Sequence, residues 1–220
     1  MNRRSAFLIV PLIALVLAGG ALRAAEPRNL DLLKAEIREY VKSGEYQRDI
    51  AAVAANAEAW LVERAANRAP GERLAVVFDL DETLFSNWPH IDSLGLGYTA
   101  AAWEAWVAEG KAPALEPVRA VYRTARRLGL DVVFLSGRRE RQRAGTEKNL
   151  RVIDCAEYAV LILKPDGSKE TAAEFKTAQR KRLTAGGRVI VANLGDQESD
   201  LAGGYAERTF KLPNPLYLTP

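Results

Sequence analysis

The sequence predicts an α/β fold with a mostly parallel sheet flanked by helices. Three observations predict it. Four short runs, Leu74–Leu80, Asp131–Leu135, Tyr158–Leu163 and Arg188–Ala192, are apolar nearly throughout instead of alternating, which is the pattern of strands buried on both faces. Segments of helical spacing separate them, at Ala114–Leu128, Glu140–Arg151 and Thr171–Leu183, and strand–helix alternation implies parallel strands joined by crossovers. A chain of 220 residues, 48% hydrophobic and 27% charged, can bury one core. That composition excludes disordered, collagen-like, coiled-coil and multi-span membrane classes.

In chain order, Arg3 and Arg4 open a segment with no charge from Ala6 to Leu22, strongly apolar over Phe7–Leu17 and followed by Gly19, Gly20, Ala21, Ala24 and Ala25. Charge, apolar run and small residues in this order read as a secretory signal over residues 1–25, so an exported, periplasmic or secreted protein is expected. The alternative is an uncleaved anchor, for which 17 uncharged residues interrupted by Pro11, Gly19 and Gly20 are a marginal span. No cysteine follows the run, which excludes a lipid-anchored lipoprotein. Without residues 1–25 the chain holds 28 basic and 28 acidic residues, so no basic excess draws it to nucleic acid, and no stable membrane partner remains. The run Arg138, Arg139, Arg141 and Arg143 is expected to be a solvated helix start.

Residues 28–68 read as helices. Leu30, Leu33, Ile37, Tyr40 and Val41 share one helical face, Ser43-Gly44 interrupts, and Ile50, Val53, Ala54, Ala57, Trp60 and Leu61 resume the period. Ala69-Pro70-Gly71 is a stop. The helix over 114–128 has Gly129 just past its end, a C-cap signal.

Cys155 is the only cysteine and His90 the only histidine. An internal disulfide, a thiolate cluster and multi-histidine metal or phosphatase sites are therefore excluded. Chemistry must come from carboxylates, lysine, hydroxyls and backbone. Ligands of open α/β sheets sit at the carboxyl ends of strands. There the sequence offers Asp79-Leu80-Asp81-Glu82-Thr83 after the first strand, Ser136-Gly137-Arg138 after the second, and Asp196 to Asp200 after the fourth. Two carboxylates ~4 Å apart repel by about 4 kcal/mol at an effective dielectric of ~20. A divalent cation relieves that repulsion, and an open all-oxygen site suits Mg²⁺.

Val77-Phe78-Asp79-Leu80-Asp81-Glu82-Thr83-Leu84-Phe85-Ser86-Asn87 resembles the first motif of the haloacid dehalogenase (HAD) superfamily. Its Ser86-Asn87 extension is similar to the plant-type and class B/C acid phosphatase branch that includes vegetative storage proteins. Phe134 to Arg138 resembles the second motif, Glu174 to Arg180 the third-motif segment with its lysine, and Gly195 to Asp200 the fourth. Phe210 to Pro215 fits the same branch. The resemblance runs from about residue 30 to the end of the chain.

It implies a HAD-like, Rossmann-like sheet over residues 26–220 and an acid phosphatase acting on a small phosphomonoester: a nucleotide, sugar phosphate or aryl phosphate. By resemblance, Asp79 is the nucleophile that forms an aspartyl-phosphate, and Asp81 is the general acid/base. Ser136, Gly137, Arg138 and Lys176 bind the phosphoryl group. Asp79, the Asp81 carbonyl, Asp196 and Asp200 hold Mg²⁺. Lys164 and Lys169 are alternatives to Lys176. The aspartate at position 81 argues against a dehalogenase, and the intact Asp79 against a purely storage role. A phosphotransferase and a weakly active phosphate-ester-binding protein are the alternatives; oligomeric state is open.

Residues 88–113 resemble a short helical cap. Trp103 and Trp106, three apart, are expected in core packing, whereas Trp88 and His90 are candidates for the pocket rim. Glu82 is expected to be an exposed turn residue and Cys155 a small core residue. Gly95-x-Gly97-x-x-Ala100 imitates a dinucleotide fingerprint, but no strand precedes it.

Overall fold

A computed structural model describes residues 26–219; the expected export signal lies outside the described residues. Two helices open the described chain, α1 (Leu30–Lys42) and α2 (Glu45–Ala66). They part at Gly44, whose φ of 78° is left-handed, a conformation that glycine adopts without Cβ strain. Then follow β1 (Arg73–Phe78), α3 (Trp88–Ser93), α4 (Ala100–Glu109), α5 (Glu116–Arg127), β2 (Asp131–Arg139), α6 (Arg143–Val152), β3 (Val160–Lys164), α7 (Ala172–Ala185), β4 (Arg188–Gly195), α8 (Glu198–Leu201) and β5 (Arg208–Lys211). The five strands are parallel in the order β3-β2-β1-β4-β5.

The sheet is covered on both faces, as its apolar strands require. Alternate residues divide between two cores. Val76, Phe78, Val132 and Phe134 pack toward Ile50, Ala57 and Leu61 of α2 and Val118, Val121 and Ala125 of α5. Val77, Val133, Leu135 and Ile190 pack toward Phe175 and Leu183 of α7. Cys155 is buried in the first core, as expected. Gly129, with φ 68°, follows α5 in the expected capping position.

Several boundaries differ from the sequence reading. β1 ends at Phe78 rather than Leu80, because the Leu80 carbonyl leaves the ladder to accept the amides of Thr83, Leu84 and Phe85. The second and fourth strands run on to Arg139 and Gly195. The helix expected from Glu140 starts as a 3₁₀ turn over Glu140–Gln142. β5 carries no apolar run; it is a four-residue edge strand, mostly exposed. The segment read as a cap, residues 88–113, holds α3 and α4 between β1 and α5, and Gly95-x-Gly97 lies in the loop between them. No helix among the described residues is long and apolar enough to cross a membrane.

Two irregularities in the ladder shape the site. On β2 the pairing jumps from Ser136↔Leu163 to Arg139↔Lys164, so Gly137 and Arg138 bulge out at the strand end. On β4, Val191 is skipped between Ile190 and Ala192, and its carbonyl accepts the Trp60 indole N–H at 2.8 Å.

Candidate active site

The central strand sets the site. β1 lies between β2 and β4, so its carboxyl end is where the chain's crossovers diverge, the usual crevice of a doubly wound sheet. Asp79 follows directly, its amide still tied to the Leu194 carbonyl at 3.0 Å. The turn after it is closed by the three amides that share the Leu80 carbonyl, and Asp81 faces the same opening as Asp79.

The end of β4 supplies Asp196 and Asp200, and α7 supplies Lys176. Lys176 is 4% exposed, and its Nζ lies 2.5 Å from an oxygen of Asp79 and 2.5 Å from one of Asp200. Asp196 accepts hydrogen bonds from Thr83 Oγ1 at 3.0 Å, Gln197 Nε2 at 2.6 Å and Asn214 Nδ2 at 2.7 Å. Asp200 accepts the Gln197 amide at 2.9 Å through its other oxygen. Its carbonyl is held by Arg180 Nη1 at 2.6 Å and Asn193 Nδ2 at 2.9 Å. Gly195 is required here: a Cβ on it would lie 2.4 Å from the Asp200 Cβ.

These charges perturb one another. Burial, joined by the neighbouring Asp200, Asp196 and Asp81, pushes the Asp79 carboxyl well above its ordinary range, with Lys176 opposing. Burial and Asp200 push Asp196 the same way. Burial alone would lower Lys176, but Asp79 and Asp200 hold it above its ordinary value. Asp79, Asp196 and Asp200 each offer an oxygen within 4.8 Å of the others. One lysine balances only part of that charge. Three buried, converging carboxylates fit a hard divalent cation, which prefers oxygen ligands.

The bulge of β2 brings in Ser136, Gly137 and Arg138. Ser136 is buried, and its Oγ accepts the Arg138 amide at 3.2 Å. Arg138 is also buried, which corrects its reading as part of a solvated helix start. Its guanidinium grips Asp81 through Nη2 at 2.7 Å and Nε at 3.0 Å, and Nη1 reaches Thr146 Oγ1 at 3.1 Å. The rings of Phe85 and Trp103 flank it at 5.0 and 5.5 Å. In this arrangement Arg138 orients Asp81. The rest of the run divides: Arg139 donates to the Pro165 and Ser168 carbonyls, Arg141 pairs with Glu104 and Asp166, and Arg143 pairs with Glu140.

Asp79, Asp81, Ser136, Gly137, Arg138, Lys176, Asp196 and Asp200 thus all line one cavity of about 340 Å³. Lys164 does not. It is buried beside the loop after β3, where its ammonium donates to the Glu170 carbonyl, and Lys169 is exposed.

Three expectations for the loop and cap change. Glu82 is not an exposed turn residue but 1% exposed. Its carboxylate accepts the Asn87 amide at 2.7 Å, Asn87 Nδ2 at 3.1 Å and the Tyr217 hydroxyl at 2.6 Å. Burial and the adjacent Asp81 push it up to about 8, against these donors. Trp106 is core, its indole N–H bonded to Asn87 Oδ1 at 2.7 Å, while Trp103 packs against that core and also forms cavity wall. His90 lines a second, more apolar cavity of about 380 Å³ that meets the first at Asp81, while Trp88 lines neither. The His90 ring stacks on Trp106 at 5.3 Å, and burial lowers its pKa, which favours the neutral form.

The sequence reading missed Thr83, Asn87, Gln197 and the tail residues Asn214 and Tyr217. Their roles are hydrogen-bonding ones, several of them between segments far apart in sequence. Thr83, Asn87, Gln197 and Asn214 lie inside segments that carried the resemblance, without any sign of these roles; Tyr217 carried no signal.

An acid cluster with a buried lysine at the carboxyl end of the central parallel strand, beneath a small helical insertion, defines an α/β phosphomonoesterase. The chain belongs to the HAD superfamily, subfamily IIIB (acid phosphatase), whose sequence profile matches residues 21–220. It is 38% identical over 187 residues to the stem 28 kDa glycoprotein of Glycine max, covering 82% of this chain and 72% of that protein. It is 35% identical over 186 residues to acid phosphatase 1 of Solanum lycopersicum, covering 82% of this chain and 72% of that protein. The class C acid phosphatase of Bacillus anthracis shares the fold, with a TM-score of 0.70 at 23% identity over 86% of this chain and 87% of that one.

Proposed function

We propose that the protein is an exported, Mg²⁺-dependent acid phosphatase that hydrolyses small phosphomonoesters through an aspartyl-phosphate on Asp79. The observation that carries this reading is the convergence of Asp79, Asp81, Lys176 and the β2 bulge on one cavity. Uncatalysed hydrolysis of such esters is among the slowest known reactions, with accelerations reaching ~10²¹-fold, and a covalent intermediate divides the barrier.

Lys176 holds one oxygen of Asp79, fixing the carboxylate for attack on phosphorus as the ester P–O bond breaks. Asp81 gives its proton to the departing oxygen, then takes one from the water that displaces Asp79 and frees phosphate. General acid–base help of this kind contributes ~10²–10⁴-fold. Arg138 keeps the Asp81 carboxylate aimed into the cavity. Ser136 Oγ and the Gly137 amide receive phosphoryl oxygens, and Lys176 offsets the charge that accumulates on them. Asp79, the Asp81 carbonyl, Asp196 and Asp200 would hold the cation. When bound, it neutralises the acid cluster so that a phosphate dianion can approach.

The test is hydrolysis of an aryl phosphate by wild type and Asp79→Asn, with chelator and with Mg²⁺ restored. Wild type should lose activity in chelator and regain it with Mg²⁺. Asp79→Asn should fold and remain inactive throughout. Turnover by that variant at the wild-type rate refutes the nucleophile. Product analysis with an added alcohol separates hydrolysis from phosphotransfer, and the mass of the exported chain reports cleavage near residue 25.

A further inference from the structure

Glu82 is an unusual residue for its position. It has a left-handed backbone, φ 52°, which costs a non-glycine residue about 1 kcal/mol or more. It also buries a carboxylate beside that of Asp81. Structures keep such residues where the surroundings over-determine them, so the partners of Glu82 are informative. Two lie on Asn87, whose Nδ2 also donates to Asp81 Oδ1 at 2.9 Å. The third is the hydroxyl of Tyr217, 135 residues later.

Tyr217 belongs to the tail after β5, which recrosses the carboxyl edge of the sheet. Asn214 ties the tail to Asp196. The Thr219 amide donates to Gln197 Oε1 at 2.9 Å, and Ser199 Oγ donates to the Thr219 carbonyl at 3.1 Å. Tyr217 and Thr219 wall the catalytic cavity, and with Leu216 they close one side of the second cavity. That second cavity begins at Asp81, the side from which a leaving oxygen takes its proton.

We propose that Glu82 is a positioning residue that latches the tail across the site through Tyr217, while its contact with Asn87 steadies Asp81. The latched tail then forms the wall against which the leaving group of the ester rests. This rests on the reading of Asp79 and Asp81 given above. Inorganic phosphate, which has no leaving group, needs only the Ser136–Lys176 half of the cavity and should be indifferent to the latch.

The experiment compares wild type, Tyr217→Phe and Glu82→Gln at saturating Mg²⁺. It measures kcat and KM for an aryl phosphate, the inhibition constant of inorganic phosphate, and amide hydrogen exchange in residues 212–219. Tyr217→Phe removes a single hydroxyl and leaves the fold's cores untouched. It should speed exchange in the tail and raise KM by about tenfold, the equivalent of one lost hydrogen bond, with phosphate inhibition unchanged. Glu82→Gln should add a fall in kcat, because Asn87 loses its anchor. Unchanged tail exchange in both variants overturns the latch. Faster exchange with unchanged KM, or KM and the phosphate constant rising together, overturns the leaving-group wall. Failure of the parent reading shows separately, as an active Asp79→Asn.

Discussion

Replacing Lys176 with methionine tests the electrostatics of the site most directly. The side chain keeps its length and loses its charge. Each of its two contacts is a 2.5 Å ion pair, worth about 6–7 kcal/mol by Coulomb's law at an effective dielectric of ~20. Desolvation of the buried ions offsets much of this, and breaking a buried pair costs about 3–5 kcal/mol net. At roughly 2–4 °C per kcal/mol for a domain of this size, metal-free Lys176→Met should melt about 10 °C below metal-free wild type at pH 7.5. Calorimetry in chelator measures it. The loss should shrink at pH 5, where the unpaired carboxyls take up protons. Mg²⁺ should recover more stability in the variant than in wild type, because the cation becomes the main countercharge to Asp79, Asp196 and Asp200. A metal-free melting point within about 2 °C of wild type would refute the idea that these carboxylates depend on the lysine.

Three further outcomes follow from the same geometry. Gly195→Ala places a methyl 2.4 Å from the Asp200 Cβ, so Asp200 must move; titration with Mg²⁺ should show weaker binding, and wild-type affinity would contradict the close approach. Trp106→Phe leaves the buried Asn87 Oδ1 without its donor and should cost about 1–3 kcal/mol in denaturant unfolding, an unchanged midpoint arguing against that contact. Glu82 titrates near 8 in the folded protein, with Asp79 and Asp196 displaced upward too. Unfolded carboxyls titrate near ~4, so between these values the folded state binds more protons and its stability falls as pH rises. The chelated protein should therefore melt higher at pH 5.5 than at pH 8, and Glu82→Gln should flatten that slope; the opposite slope would overturn the assignment.

The fold was legible where burial is two-sided. β1 to β4 are apolar because both faces are covered, and a continuous apolar run is visible without knowing the neighbours. β5 was not legible, since Arg208, Thr209 and Lys211 are exposed at a sheet edge and only Phe210 packs against the core, so the strand has no apolar run. The acid cluster could be read because strand ends are identifiable and ligand chemistry gathers there. Glu82 could not: its burial depends on Tyr217 and Asn87 closing over it, and no local pattern encodes a partner 135 residues away. The same applies to Arg138, which the surrounding arginines made look like surface until the β2 bulge and Asp81 accounted for it. Trp103 and Trp106 share a helix face, yet one meets Asn87 and the other a cavity, a difference set by what lies opposite.

Placing β1 in the middle of the sheet has a consequence for how the site is built. Its pairing partner β4 and the acids beyond it follow every other strand but β5 in the chain. Asp79 and Asp81 therefore meet Asp196 and Asp200 only where β4 pairs with β1. The three-carboxylate cluster is a property of the closed sheet, and a chain in which β4 has not docked holds no such cluster.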